Sequence, residues 1–241
     1  MPRLLLRSAL VSLGSGACLL ALLAAASAPG AEEIHGRVEL LAKGGKGPAR
    51  GSDVQQGVVY FEPKGGAGKA LRTSEKPFQM VTRQKAFAPR VLAVPVGSRI
   101  AFPNQDPILH NVFSLSPGNA FDLGIYREPE TKEKRFEQPG LVRVFCNVHH
   151  GMVAYVLVLA TPFFTSPAAD GTFTLSGLPK GPGRLTVWHE QTEPWTADLN
   201  LPAGPAPLTP RLEVVRPQVP PHLNKSGESY YRSDRDRYNG R

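Results

Sequence analysis

From residue 34 onward, glycine and proline cut the chain into short β-branched and aromatic runs, and that punctuation leaves little room for helices. Gly and Pro number 24 each. Together they stay below the roughly 25–30% that marks disordered chains, and their placement between apolar runs is that of strands joined by tight turns. "IHGRVEL" and "GVVYFEP" flank the Gly- and Lys-rich "LAKGGKGPARGSDVQQ". "RVLAVPVGSRIAFPN" predicts two strands about a Val-Gly-Ser turn, with Ile100 and Phe102 on one face. "LVRVFC" sets Val142, Val144 and Cys146 on one face against Leu141, Arg143 and Phe145 on the other. "GMVAYVLVLA" is nearly continuous in apolar residues, as in a strand buried on both faces. "GTFTLSGLPKGPGRLTVWHE" gives two more strands around a Gly/Pro turn, while "REPETKEKRFEQPG" suggests a short polar turn of helix at best. The expected class is mainly β, built as sandwiches.

Other features carry less. "GGAGKA" lacks the spacing and the Ser/Thr of a phosphate loop and is read as a turn. Trp188, His189 and Glu190 are read as packing with a solvated strand end rather than as a second site. From Pro217 the pattern fades into "PQVPPHLNKSGESYYRSDRDRYNGR", expected to be an extended polar tail over 217–241. Docking of Tyr230, Tyr231 and Tyr238 on a neighbouring surface is the alternative.

The N-terminal 31 residues have the layout of a secretory signal peptide: Arg3 and Arg7, an apolar run, then small residues. Ala24 and Ala26 suit a cleavage site, as do Ala28 and Gly30. The chain has two cysteines, Cys18 and Cys146, and cleavage removes the first. A lone thiol in an oxidising compartment invites oxidation unless it is buried or ligated, so Cys146 is expected to bind something. The net charge is +8, two units of it from Arg3 and Arg7. This favours an acidic protein partner or an anionic surface, and an exported chain is not expected to bind nucleic acid. After the signal, no apolar run approaches the ~18 residues a membrane span requires. The expected location is the periplasm.

Cys146 lies in "VFCNVHHGM", where Cys146, His149 and Met152 follow C-x-x-H-x-x-M between two strands. Upstream, "FPNQDPILHNVFS" places His110 at the end of a polar loop. Two His and one Cys with a weak axial Met form the ligand field of a mononuclear blue-copper site. Copper would also keep an exported thiol ligated and deprotonated. Zinc held by Cys146, His110, His149 and His150 is the competing metal reading. A Cys–His nucleophile finds no orienting partner or oxyanion loop.

At these residues the chain resembles the cupredoxins, in particular the short-loop, amicyanin-like kind, over roughly residues 78–160. Asn104, His110, Asn111 and Val112 match the segment bearing the first ligand, and Cys146, His149 and Met152 match the last three. The resemblance implies a Greek-key β-sandwich holding one copper ion. His110, Cys146 and His149 would be equatorial ligands, Met152 axial, and Asn111 a tie between the two ligand loops. It also implies an electron port at His149, framed by Pro107, Ile108 and Met152. His150 and Gly151 stand where such loops often carry a proline. The stretch "ADGTFTLSGLPKGPGRLTVWHE" resembles carboxypeptidase regulatory-like, transthyretin-like modules. This suggests one discontinuous sandwich, with first strands at 32–77 and its remainder at 161–216, around the insertion at 78–160.

A binuclear copper centre needs a second cysteine, and a multicopper oxidase needs additional H-x-H motifs. His35, His189 and His222 are isolated in the sequence. The expected function is therefore a one-electron carrier with a redox partner protein, not an enzyme. Related sequences are often labelled methylamine-utilisation proteins. The alternatives are copper handling, or a partner-binding β-sandwich with a structural copper.

Overall fold

The computed structural model describes residues 31–45, 47–49, 52–66, 74–204 and 206–230. Apart from Ala31, the predicted signal peptide lies outside the described residues, as do Tyr231 and Tyr238. Among the described residues the regular structure is eighteen strands and one 3-10 turn, Val54–Gln56, with no α-helix. The fold is mainly β, as the punctuation by glycine and proline predicts, and among the described residues no helix is long and apolar enough to cross a membrane.

The first three strands are β1 (Glu32–Arg37), β2 (Glu39–Leu41) and β3 (Val58–Pro63). Ten follow: β4 (Phe78–Gln79), β5 (Val81–Arg83), β6 (Ala86–Ala88), β7 (Val91–Pro95), β8 (Arg99–Pro103), β9 (His110–Ser114), β10 (Phe121–Tyr126), β11 (Thr131–Arg135), β12 (Gly140–Phe145) and β13 (Val153–Leu159). The last five are β14 (Phe164–Thr165), β15 (Thr172–Leu178), β16 (Gly181–Trp188), β17 (Trp195–Leu201) and β18 (Arg211–Glu213).

Pairing brings the two ends of the chain together around its middle. β1 pairs with β15 and β2 with β18, while β3 lies between β14 and β16 in a four-stranded sheet. Ile34, Val59, Phe61, Leu175, Leu185 and Leu212 are buried together between these sheets. The middle strands form a five-stranded sheet ordered β10-β9-β12-β13-β7 and a three-stranded sheet ordered β11-β8-β4. Between them lies a second core that includes Ile100, Phe102, Val112, Val142, Val144 and Phe136. Ile100 and Phe102 share a face, as their spacing predicts.

The continuous apolar run of β13 has a physical cause in this arrangement. Ala154, Val156 and Val158 face the middle core. Val153, Tyr155, Leu157 and Leu159 face the other way, into a third cluster with Val58 and Trp188. Both faces of the strand are therefore dry, and no position tolerates a charge.

One expectation is corrected. "TKEKR" is the strand β11, not a turn of helix, and it pairs antiparallel with β8. It is an edge strand, and its charged side chains are the kind that protect an exposed edge from further pairing. The Val-Gly-Ser turn does join two strands, with Gly97 at φ 88°. Its strands β7 and β8 lie in different sheets, so the turn carries the chain across the core rather than closing a hairpin.

A buried ion pair ties the middle strands to the flanking ones. The Arg90 guanidinium donates to the Glu190 carboxylate at 2.8 and 2.9 Å, to the Val153 carbonyl at 3.0 Å, and to the Gln218 carbonyl. The Glu190 side chain is 1% exposed. His189 is also buried, its Nε2 3.1 Å from the Asp53 carbonyl. The strand end at Trp188, His189 and Glu190 is thus structural as expected, but it is buried rather than a solvated rim.

Glu190→Ala leaves Arg90 unpaired in this junction and should cost about 3 kcal/mol in urea unfolding. A loss under about 0.5 kcal/mol would show that the pair does not hold the junction. Burial pushes the His189 pKa down, against the upward pull of its bond to the Asp53 carbonyl. The unfolded chain then takes up this proton at a higher pH than the folded one. The corresponding stability is intact above about pH 6.5 and is lost progressively below it. Melts across that range should show a shallower decline for His189→Gln than for the parent.

Candidate metal centre

Strand register brings the sulfur and the first imidazole together. His110 opens β9, Cys146 follows β12, and the two strands are neighbours through Phe113 and Phe145. Val112, Val144 and Cys146 are fully buried on the core side, which drives the two strand ends inward. In this register the Asn111 backbone N–H donates to Cys146 Sγ at 3.5 Å. Cys146 Sγ lies 3.8 Å from His110 Nδ1 and 3.8 Å from His149 Nδ1. The three donor atoms lie within 4.8 Å of one another.

The loop from Cys146 to Met152 folds back on itself. The Met152 N–H donates to the His149 carbonyl at 3.0 Å, and the Cys146 N–H to the Met152 carbonyl at 3.3 Å. Met152 is 1% exposed and packs in the same apolar cluster as Cys146. Asn111 fastens this loop from the neighbouring strand. Its Oδ1 accepts from the Asn147 N–H at 3.3 Å, and its Nδ2 donates to Asp122 Oδ1 at 2.7 Å and to the Gly124 carbonyl at 2.9 Å.

His110 is oriented by Asp106, whose Oδ2 lies 2.8 Å from Nε2. With Nε2 so engaged, Nδ1 is the nitrogen presented to the sulfur. Asp106 does more than hold the ring. Gln84 and Lys85 both have φ of 55° in the β5–β6 turn, a conformation costing a residue with a side chain roughly 1–2 kcal/mol. The Asp106 carboxylate accepts both of their amides, at 2.6 and 2.9 Å, and offsets that strain. Burial by itself would raise the Asp106 pKa, but the Lys85 and Gln84 amides and His110 outweigh it and hold the carboxyl below the usual aspartate range. Asn104 braces the same loop, its Oδ1 accepting from the Asp106 N–H at 2.9 Å and from Thr82 Oγ1 at 3.1 Å.

Of the residues singled out in the sequence, His110, Cys146 and His149 converge, Met152 is buried beside them, and Asn111 ties the two loops. His150 does not join the group. Its ring stacks on His222 at 4.7 Å between centroids, with 6° between planes. Nor does Met152 frame an exposed patch, since it is buried; Pro107 and Leu109 of the His110 loop are exposed. Sequence reasoning missed Asp106. Its signal was a carboxylate four residues before His110, in a loop already noted as polar.

No family model matches the chain, and no curated protein matches it. Among solved structures it is similar to a purple cupredoxin from Nitrosopumilus maritimus, with 23% identity, 34% of this chain and 99% of that chain covered, and a TM-score of 0.32. It is also similar to a copper-containing nitrite reductase from Thermus scotoductus, with 22% identity, 36% and 23% covered, and a TM-score of 0.34. A reduced tryptophan-to-tyrosine mutant of amicyanin gives 18% identity, 36% and 85% covered, and a TM-score of 0.34. The matched part of this chain spans less than a quarter of the reductase.

Asp106→Ala removes the acceptor for two strained amides and one buried ring. It should lower the unfolding free energy by about 2 kcal/mol or more. Asp106→Asn, which keeps one acceptor oxygen, should cost less. Equal losses for the two variants would mean that neither the side-chain volume nor a single retained oxygen matters, and that the effect lies in the carboxylate's charge or its second oxygen.

Proposed function

We propose that the chain is an exported one-electron carrier that holds a single copper ion on His110, Cys146 and His149, with Met152 as a weak axial donor. The observation that carries this reading is a fully buried thiol facing two imidazole nitrogens, one on a ring whose other nitrogen is already held by a carboxylate. Metal-ligating histidines are commonly oriented this way. Both Sγ–Nδ1 separations are 3.8 Å, so the three donors are close enough that one ion could be held by all of them. The Asn111 N–H donates to the same sulfur at 3.5 Å.

The donor set, two nitrogens, a thiolate and a nearby thioether, favours copper over zinc. The four-ligand zinc set drawn from the sequence includes His150, and that ring is stacked on His222 instead. When bound, copper supplies a one-electron couple. The chain's part is to hold the donors before the ion arrives and to keep water from the sulfur. The N-terminal residue pattern supports export to the periplasm, and the basic net charge favours an acidic redox partner. We read the flanking strands as one transthyretin-like sandwich into which residues 78–160 are inserted. The β1–β15 and β3–β16 pairings support that reading.

Titration of the purified mature protein with Cu(II) should produce an intense thiolate-to-copper absorption band, saturating at one ion per chain and absent from Cys146→Ser. Reversible one-electron reduction of the loaded protein should follow. Tight copper binding indifferent to the Cys146 substitution would sink the carrier reading and move the weight to copper handling. A band without reversible reduction would leave copper as a structural element.

A further inference from the structure

Residues 217–230, read from the sequence as the start of a solvated tail, return to the Cys146 loop and bind it. Tyr230 is 4% exposed, and its hydroxyl donates to the Cys146 carbonyl at 3.0 Å. His222 stacks on Phe145, the residue before the cysteine, at 4.3 Å between centroids and 18° between planes. On its other contacts it stacks on His150 and meets the Tyr230 ring nearly edge-on at 5.3 Å. His150, which the proposed metal set does not use, therefore forms part of the platform on which this segment sits.

Lys225 closes a ring of hydrogen bonds. Its N–H donates to Asn147 Oδ1 at 3.0 Å and its Nζ to Asp122 Oδ2 at 2.7 Å. Asn147 and Asp122 are the residues that Asn111 bonds from the opposite side. The circuit Asn111–Asn147–Lys225–Asp122 thus locks the ligand loop to β9, β10 and the C-terminal segment at once. The segment is itself shaped for this. Asn224 Oδ1 accepts from the Ser226 and Glu228 amides, each at 2.9 Å, and Gly227 takes φ 78° to complete the turn.

We propose that residues 217–230 are a clasp on the Cys146–Met152 loop, and that Tyr230 is a positioning residue that fixes the Cys146 backbone and limits access to its thiol. The clasp's effect on a bound metal rests on the copper reading. Its effect on the metal-free thiol does not. A fully buried sulfur reacts with an alkylating reagent only when the loop opens, so the reaction rate reports the opening equilibrium. Removing one hydrogen bond from the closed state should raise that rate about fivefold.

The test compares metal-free mature protein with Tyr230→Phe and with a variant ending at Arg216. Each is followed by thiol alkylation, thermal melting and, after Cu(II) addition, absorption and reduction potential. Tyr230→Phe should alkylate about fivefold faster with its melting temperature lowered by only about 2–4 °C. The truncated chain should alkylate faster still. Any thiolate-to-copper band should shift in position or intensity in both variants. An unchanged alkylation rate in Tyr230→Phe overturns the role of Tyr230, whether or not the truncated chain folds. If the parent gives no band but the rates change as stated, the copper reading fails and the clasp stands. If the parent band forms and neither rate nor spectrum changes, the clasp fails and the copper reading stands.

Discussion

The pairing of β9 with β12 is the constraint on which the centre depends. It is a short contact, one register position joining Phe113 and Phe145, but everything polar around the sulfur follows from it. It delivers the Asn111 amide to Cys146 Sγ and the Asn111 side chain to the Asn147 amide. It also sets His110, one residue before Asn111, beside the thiol. The alternation of buried valines along β12 secures the register. A one-residue slip of β12 would turn Val142 and Val144 outward together.

The second requirement is that this sheet be dry on both faces. The face of β13 remote from the middle core is covered by Val58 and Trp188, which belong to the flanking strands. The Arg90–Glu190 pair fixes the same junction, and Arg90 also reaches the carbonyl of Val153, the residue after Met152. The flanking strands therefore support the far side of the very strand that ends the Cys146 loop. Removing them would expose a continuous apolar strand and a desolvated charge.

Much of the strand pattern and the donor set was legible in the sequence because both depend on local order. Period-two alternation identified β12 and the inward direction of Cys146, and C-x-x-H-x-x-M placed three side chains on one loop. The misses share a cause. The β11 segment suggests a polar turn of helix at best because lysine and glutamate are good helix formers, whereas an edge position beside β8 decides its state. Asp106 could be seen as a loop aspartate, but its three partners come from the β5–β6 turn and from β9, which only the folded chain brings together. The sequence leaves docking of Tyr230 open as an alternative, but the place where it docks was illegible for the same reason. It acts on a residue 84 positions away, and a polar segment gives no periodicity from which to infer contact.

These braces bear on how such a site meets an ion. In a small zinc domain the ligands are unorganised without metal, and binding must offset the cost of ordering them. Here the ordering is already done by protein contacts. Asp106 holds the His110 ring, Asn111 addresses the thiol, and backbone bonds between Cys146, His149 and Met152 close the loop. Two cores of ordinary apolar packing stand behind them. The conformational entropy is therefore lost during folding rather than at binding, and an ion entering the site has little left to rearrange. The same rigidity resists any change in donor geometry when the charge on the ion changes. On the proposed copper reading, an arrangement of this kind would suit electron transfer better than folding control.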